Sequence, residues 1–107
     1  MDALEKQLWI NDLLYFYEPL LTSKQQKIMQ YYFSENYTLK EIAQIENISR
    51  NAVHDHIQNA VQKLTQYEKK MQLKSKQDKK DAIINQIKNT SDIDRIKALI
   101  KELEKVV

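Results

Sequence analysis

The sequence of 107 residues contains no glycine and only one proline, Pro19. Glycine supplies the left-handed backbone conformations of tight β-hairpin turns, and phosphate-binding loops and dinucleotide-binding folds also need it. A chain without glycine is therefore poorly suited to all of these structures. Asparagine tolerates the same conformation, so we expect Asn36, Asn47 and Asn89 to end the helices. The absence of glycine predicts an all-α protein.

Length and composition bound the organisation of the chain and its location. With 42% hydrophobic residues, the chain can form one small domain with a core and an appendage, but not two ordinary domains. It has no cysteine, which excludes a disulfide framework or a thiolate metal site and suits a reducing compartment. No apolar run is long enough for a membrane span, and the N-terminus lacks the pattern of a secretion signal. We expect a soluble, cytoplasmic protein.

The segment 38–64 has the pattern of a helix-turn-helix. Thr38 and Glu41 have the spacing of a capping box, in which a hydroxyl and a carboxylate satisfy the free N–H groups at the start of a helix. This spacing predicts a short helix from Leu39 to about Glu46.

The turn of this motif and its second helix follow from the next residues. Asn47 favours a left-handed end of the first helix, and Ser49 is a good N-cap for a second helix that begins at Arg50. Small and apolar residues lie at the spacing that lets two helices cross: Ile42, Ala43, Ile48, Val53 and Ile57. The second helix continues as a heptad stripe, which predicts a partner helix, along Val53, Ile57, Ala60, Leu64, Tyr67 and Met71.

Two further helices are predicted before the motif. The first begins with the capping pattern of Asp2 and Glu5 and ends near Pro19. Its apolar positions are Leu4, Leu8, Trp9, Leu13, Phe16 and Tyr17. The second begins at a cap formed by Thr22 and Gln25, and its apolar positions are Ile28, Met29, Tyr32 and Phe33.

Two more helices are predicted near the C-terminus. A short fifth helix contains Ala82, Ile83, Ile84 and Ile87 and ends at Asn89. A sixth begins at Ser91, and its apolar stripe consists of Ile93, Ile96, Ile100, Leu103 and Val107. An apolar face at a chain end must be covered, either by the long helix or by a second subunit. We expect a homodimer in which this stripe forms the dimer or partner-helix contact.

The basic charge lies behind the motif. Residues 1–68 contain 6 Lys+Arg against 9 Asp+Glu, a net of −3, whereas residues 69–107 contain 11 against 6, a net of +5. Six lysines follow one another closely: Lys69, Lys70, Lys74, Lys76, Lys79 and Lys80. They form either a solvated helix face or linker, or a contact for polyanions such as RNA or an acidic protein. We expect a helix-turn-helix domain at 1–71, with its motif at 38–64, and a basic linker with a helical extension at 72–107.

Residues for catalysis or metal binding are scarce. His54 and His56 are the only histidines, and two positions apart on a helix they point in nearly opposite directions, so they cannot hold one ion together. The carboxylates are dispersed, and no nucleophile motif or glycine-rich loop is present. We expect neither an enzyme nor a protein with a cofactor or a metal.

The second helix of the motif has side chains that can read nucleic acid. Arginine, asparagine and glutamine bond to base edges, and a helix N-terminus can meet a phosphate. The candidate nucleic-acid-binding residues are Ser49, Arg50, Asn51, His54, Asp55 and Gln58. Asp55 would repel a phosphate, and the motif could instead be a scaffold that contacts no base. Most of the six tyrosines fall on apolar helix faces, so we expect them in or beside the core rather than stacked on bases.

These residues resemble two related groups of proteins. The helix-turn-helix shared by region 4 of bacterial sigma factors and LuxR-type regulators is matched at Glu41, Ile42, Ala43, Ile48, Ser49, Arg50, Ala52, Val53 and Asp55. The wider pattern is similar to the YlxM family, at Leu13, Phe16, Tyr17, Leu20, Leu21, Thr22, Gln25, Tyr31, Tyr32, Leu39, Leu64, Tyr67 and Glu68. That family consists of small bacterial helical proteins encoded beside the signal recognition particle genes.

The resemblance implies a fold and a role. The fold would be a sigma region 4-like core of about four helices with a long fourth helix and a helical C-terminal extension, about six helices in total, often as a dimer. The role would be in the signal recognition particle pathway or its regulation, through the RNA or the GTPase of the particle. Two alternatives stay open: a sequence-specific transcriptional regulator that binds DNA, and an adaptor that uses the motif as a scaffold for protein partners.

Overall fold

The computed structural model describes residues 1–107, and all regular structure in it is helical. The six α-helices are α1 (Ala3–Tyr17), α2 (Ser23–Met29), α3 (Leu39–Glu46), α4 (Arg50–Met71), α5 (Leu73–Lys88) and α6 (Ile93–Glu104). A 3₁₀ turn, Glu18–Leu20, follows α1, and a π-helical turn, Gln30–Ser34, continues α2. The predicted all-α class with six helices is confirmed. The chain divides into two compact units, Met1–Met71 and Gln72–Val107.

The heptad stripe of α4 forms the centre of the N-terminal unit. Helix α4 packs against α1, α2 and α3. The stripe positions Val53, Ile57, Ala60 and Leu64 are buried among the core residues that those helices supply. The partner that the stripe requires is therefore found within this unit, up to Leu64. Further along, Tyr67 is half-buried, and Met71 is exposed.

The buried face of α1 differs from the predicted one. Leu4 and Leu8 were predicted on the core face, but their side chains are 66% and 56% exposed. The predicted positions Leu13 and Tyr17 are buried in the core, together with Ile10 and Leu14, which the prediction did not include. Apolar residues occur on nearly every side of α1, so its periodicity does not define one face, and contact with α4 decides which side is buried.

The end of α2 also departs from the expected pattern. In a continuous α-helix, Tyr32 would lie one turn after Ile28, on the same buried face. The π-helical turn closes a wider ring, in which the Glu35 N–H donates to the Gln30 carbonyl at 3.0 Å. This turn rotates the residues within it, and Tyr32 is 37% exposed rather than buried.

The turn between α3 and α4 is built as the sequence predicts. Thr38 and Glu41 form a reciprocal capping box at the start of α3. Asn47 ends that helix in the left-handed conformation, with φ of 54°, and the Asn47 and Ile48 N–H groups both donate to the Ala43 carbonyl. The Ser49 hydroxyl oxygen then accepts from the Ala52 N–H at 3.0 Å, which caps α4.

The C-terminal unit pairs α5 with α6. Helix α5 begins at Leu73 rather than near Ala82, so the lysine-rich segment is helical on both sides of Gln72, a residue with φ of 56°. The best-buried side chains of this unit are Ile83 and Leu99. The sixth helix is capped by the Asp92 carboxylate, not by Ser91 as predicted, because the Asp92 side chain accepts from two N–H groups of the first turn.

A hydrogen bond between Tyr17 and Glu68 joins α1 to the distal half of α4. The buried Tyr17 hydroxyl donates to Glu68 Oε1 at 2.7 Å. We expect Tyr17→Phe to lower the free energy of unfolding by about 1.5–3 kcal/mol, because a bond to a charged acceptor is lost while the ring remains. Urea denaturation measures the change. Glu68→Gln keeps an acceptor oxygen and should cost less, and an unchanged stability of Tyr17→Phe would contradict the prediction.

The left-handed conformation of Asn47 leads to a second prediction. A β-branched residue is strained at a positive φ, whereas glycine adopts it freely. Asn47→Val should therefore lower the free energy of unfolding by about 1–3 kcal/mol, and Asn47→Gly should leave it nearly unchanged. Thermal denaturation followed by circular dichroism compares the two variants. Equal losses in both would mean that the asparagine side chain, and not the backbone conformation, is what the turn needs.

Candidate nucleic-acid interface

The first turns of α4 present the predicted recognition residues on the surface. Ser49, Arg50, Asn51, His54, Asp55 and Gln58 are all exposed. Four of them, Ser49, Arg50, Asn51 and His54, line a shallow cleft of about 520 Å³ together with Leu39 of α3. The structure thus brings these four side chains together at the N-terminus of the helix, where the backbone N–H groups favour an anion. Their role in binding stays a prediction.

Asp55 weakens the same surface as an anion site. It is the one carboxylate among the six residues, and its Oδ1 atom lies 3.7 Å from His54 Nδ1. Both side chains are mostly exposed, so the pair attracts weakly and only when the imidazole is protonated. A phosphate that approaches His54 therefore meets the negative charge of Asp55 beside it. The predicted repulsion by Asp55 has a structural basis, and it limits what α4 alone can contribute to affinity.

A larger cleft lies beside the recognition residues, within the N-terminal unit. Its volume is about 640 Å³, and side chains from α1, the π-helical turn, the start of α3 and α4 line it. Its polar and aromatic lining includes Lys6, Gln7, Tyr32, Tyr37, His54 and Gln58. None of its lining residues is an aspartate or a glutamate. We call it the Tyr32 cleft, after the aromatic residue of the lining that is most exposed.

The wall of the Tyr32 cleft is held by specific contacts. The Tyr37 N–H donates to the Tyr31 carbonyl at 2.9 Å, and the two rings stack in parallel with their centroids 5.3 Å apart. The Gln7 side-chain amide donates to the Phe33 carbonyl at 3.3 Å, which ties α1 to the π-helical turn. Asn36 adopts the left-handed conformation between the π-helical turn and α3, and the chain turns there. The cleft is therefore preformed by backbone and ring contacts.

The sequence predicted only part of this surface. His54 and Gln58 were among the expected binding residues, but Lys6 and Gln7 were not considered, and Tyr32 was expected on the apolar face of the second helix. Tyr32 is exposed because its segment forms a π-helical turn. No residue pattern in this segment predicts such a turn. Among the tyrosines, the expectation of packing holds for the buried Tyr17 and for the half-buried side chains Tyr31, Tyr37 and Tyr67. Tyr15 and Tyr32 are exposed.

The six lysines of the predicted polyanion contact differ in their surroundings. Lys69 and Lys70 are exposed in the last turn of α4, and Lys79 is exposed on α5. Lys74 is paired with Asp78, at 2.8 Å between Nζ and Oδ2. Lys76 and Lys80 are half-buried. The exposed lysines have the accessible charge that a phosphate contact requires.

The predicted dimer stripe is only partly covered within the C-terminal unit. Ile93 and Ile100 are exposed, whereas Ile96 and Leu103 are half-buried. Val107 lies beyond the end of α6 at Glu104, so it is not a position on that helix. Leu99, which the pattern placed beside the stripe, is the most buried residue of the helix. The stripe as a dimer contact stays a prediction.

No group of three or more histidine, cysteine, aspartate or glutamate side chains is arranged to hold a metal ion. His54 is exposed and His56 is half-buried. None of the helices combines the length and the apolar character needed to cross a membrane.

Comparison with known proteins agrees with the helix-turn-helix geometry. Residues 4–106 match the model of the family UPF0122, described as "Putative helix-turn-helix protein, YlxM / p13 like". A UPF0122 protein of Geobacillus sp. (strain WCH70) is 39% identical over 108 residues, which cover 96% of this chain and 98% of the relative. The UPF0122 protein YlxM of Bacillus subtilis (strain 168) is 38% identical and covers 97% of this chain and 98% of its own length.

A relative from another bacterial group matches to the same degree. The UPF0122 protein of Mycoplasma capricolum is 40% identical over 106 residues, covering 99% of this chain and 92% of the relative. The matches extend over both compact units and include every helix. The predicted resemblance to the YlxM family is therefore confirmed, and the chain belongs to the UPF0122 family of helix-turn-helix proteins.

Proposed function

We propose that this protein is a non-enzymatic, nucleic-acid-binding helix-turn-helix protein that takes part in the signal recognition particle pathway or its regulation. The observation that carries the proposal is the cluster of Ser49, Arg50, Asn51 and His54 at the capped N-terminus of α4. Arginine and asparagine bond to base edges, and exposed N–H groups at a helix start bond to phosphate oxygens. Helix α4 is the second helix of the motif, and in helix-turn-helix proteins the second helix is the recognition helix.

The net positive charge of the chain is found in the C-terminal unit. Residues 1–71 contain 8 Lys+Arg and 9 Asp+Glu, a net of −1, whereas residues 72–107 contain 9 and 6, a net of +3. Most of the affinity for a polyanion comes from neutralised phosphates, so the N-terminal unit is poorly suited to bind a duplex by itself. Exposed lysines at the end of α4 and on α5 would supply the missing contacts.

The partner that we propose is the signal recognition particle, through its RNA or its GTPase, and the family resemblance supports this choice. The test is a pull-down from a cell extract with and without nuclease treatment, together with a mobility-shift assay on particle RNA at physiological salt. Nuclease-sensitive recovery and a shifted RNA band are the expected results. If the RNA is not shifted and the pull-down recovers no particle GTPase in either condition, the proposal is wrong.

The lysines at the end of α4 give a quantitative prediction. Each phosphate contact contributes about 0.7–0.9 to the slope of log affinity against log salt. Lys69→Gln with Lys70→Gln should therefore lower the magnitude of that slope by about 1.4–1.8, measured by fluorescence anisotropy on particle RNA. Lys24→Gln with Lys27→Gln removes the same charge from exposed positions on α2 and serves as the control. Equal changes in the two double variants would indicate a nonspecific effect of net charge.

A sequence-specific DNA regulator is the second candidate, favoured by the exposed Arg50 and Asn51 side by side. If this candidate is correct, Arg50→Ala should weaken binding to the selected duplex by about 1–3 kcal/mol and relax the base preference at one position. Selection from random duplexes followed by footprinting measures both. Arg95→Ala, which removes the other arginine of the chain, is the matched control. Equal weak binding of all duplexes with a steep salt slope would count against this candidate.

A third candidate function is a protein adaptor that forms a homodimer, and exposed apolar side chains favour it. Apolar side chains are exposed at Leu4 and Leu8 on α1 and at Ile93 and Ile100 on α6. Exposed apolar stripes of this kind bind partner helices or a second copy of the chain. Sedimentation analysis would give the oligomeric state, and a monomer at all concentrations would exclude the homodimer.

A further inference from the structure

We propose that the Tyr32 cleft receives one unstacked nucleobase from a single-stranded segment of nucleic acid. The proposal rests on the nucleic-acid binding proposed above and adds the form in which the ligand is recognised. The occupant is identified by three properties of the cleft: an exposed aromatic ring, amide side chains and a lysine, and the absence of any carboxylate.

The Tyr32 ring is an accessible aromatic surface in the wall of the cleft. Tyr32 lines the cleft, is 37% exposed and meets Phe33 edge to face, with ring centroids 4.9 Å apart and planes at 85°. The neighbouring Phe33 ring thus packs against one side of Tyr32. An accessible aromatic ring is a platform on which any base can stack, because every base has a π face. The stacked pair of Tyr31 and Tyr37 supports the segment behind it.

The polar groups of the cleft match a base and its phosphate. Gln58 and Asn36 carry amides, which can donate to and accept from a base edge, and His54 adds a ring nitrogen. Lys6 is the only lysine or arginine of the lining, and no aspartate or glutamate opposes it. The N-terminal unit as a whole has a net charge of −1, from 8 basic and 9 acidic residues, so a lining without carboxylates sets this cleft apart from its surroundings. A neutral base with its anionic phosphate fits both features.

The size and position of the cleft complete the argument. A volume of about 640 Å³ lies within the range of small-molecule sites, about 300–1,000 Å³. The base pairs of a duplex are stacked and cannot enter it, so the base must come from a single strand, a loop or a bulge. The cleft shares Leu39 and His54 with the smaller cleft that holds Arg50. A strand that places a phosphate near Arg50 can therefore continue past His54 and put its next base against Tyr32.

The test uses short single strands of about eight nucleotides, RNA and DNA, each with a central 2-aminopurine, and the full-length protein. Stacking on Tyr32 should quench the fluorescence of the 2-aminopurine when the protein is added. Tyr32→Ala should abolish the quenching and weaken binding about 5- to 150-fold, and Tyr32→Phe should retain both because the ring remains. Tyr15→Ala is the matched control, because Tyr15 is 83% exposed and lies outside the cleft lining. Circular dichroism verifies that each variant is folded.

A second measurement is independent of the aromatic ring. Lys6→Gln should lower the magnitude of the salt slope for single strands by about 0.7, since one phosphate contact is lost, while Lys24→Gln should not change it. RNA and DNA strands are both expected to bind, because stacking contacts the base and not the sugar.

The outcomes separate this inference from the function on which it rests. Single strands that fail to bind, or that bind equally well to Tyr32→Ala, overturn the base site. If particle RNA or duplex DNA still binds in that case and depends on Arg50, the proposed function stands without the base site. If no nucleic acid binds at all, both are wrong. If Tyr32→Ala affects only the recovery of a protein partner, the cleft holds a protein side chain and the inference is overturned.

Discussion

The burial of the apolar stripe on α4 is the contact on which the N-terminal unit depends. Val53, Ile57, Ala60 and Leu64 are removed from water by α1, α2 and α3, and each of the three larger side chains contributes about 1.5–3 kcal/mol relative to exposure. The same burial decides which side of α4 remains in solvent. Because the stripe faces inward, the residues between its members, among them His54, Asp55 and Gln58, face outward. The recognition surface follows from the core.

Two polar residues in the turn between α3 and α4 determine where the exposed surface of α4 begins. The left-handed Asn47 lets the Ala43 carbonyl accept two N–H groups, and the Ser49 hydroxyl starts α4 two residues later. Ala43 is itself buried, and its small side chain lets the two helices cross closely. A larger residue there would separate α3 from α4 and move Arg50 away from Leu39. The geometry of the smaller cleft thus depends on backbone conformation as much as on side-chain chemistry.

Local chemistry in the sequence predicted the ends of the motif helices, because caps and left-handed residues act over three or four positions. It failed where the outcome depends on distant contacts. Leu4 and Leu8 are apolar and helical, yet only the position of α4 shows that the other side of α1 is buried. Tyr32 had the correct spacing for an α-helix, but the chain widens into a π-helical turn there. The candidate binding residues on α4 were accessible to sequence reasoning, whereas the Tyr32 cleft, which joins four elements, was not.

In the function that we propose, affinity and selectivity would come from different parts of the chain. The groups that can distinguish bases, Asn51 and Gln58, belong to a unit with a slight negative charge, while the unit that follows carries a net positive charge. Phosphate contacts do not depend on sequence, so the exposed lysines of the second unit would raise affinity for every nucleic acid equally. Selectivity must then come from the weak contacts of α4 and the cleft. A ligand with an accessible unpaired base would gain from the phosphate contacts and from the contacts of α4 and the Tyr32 cleft. This favours folded RNA with loops or bulges over a regular duplex.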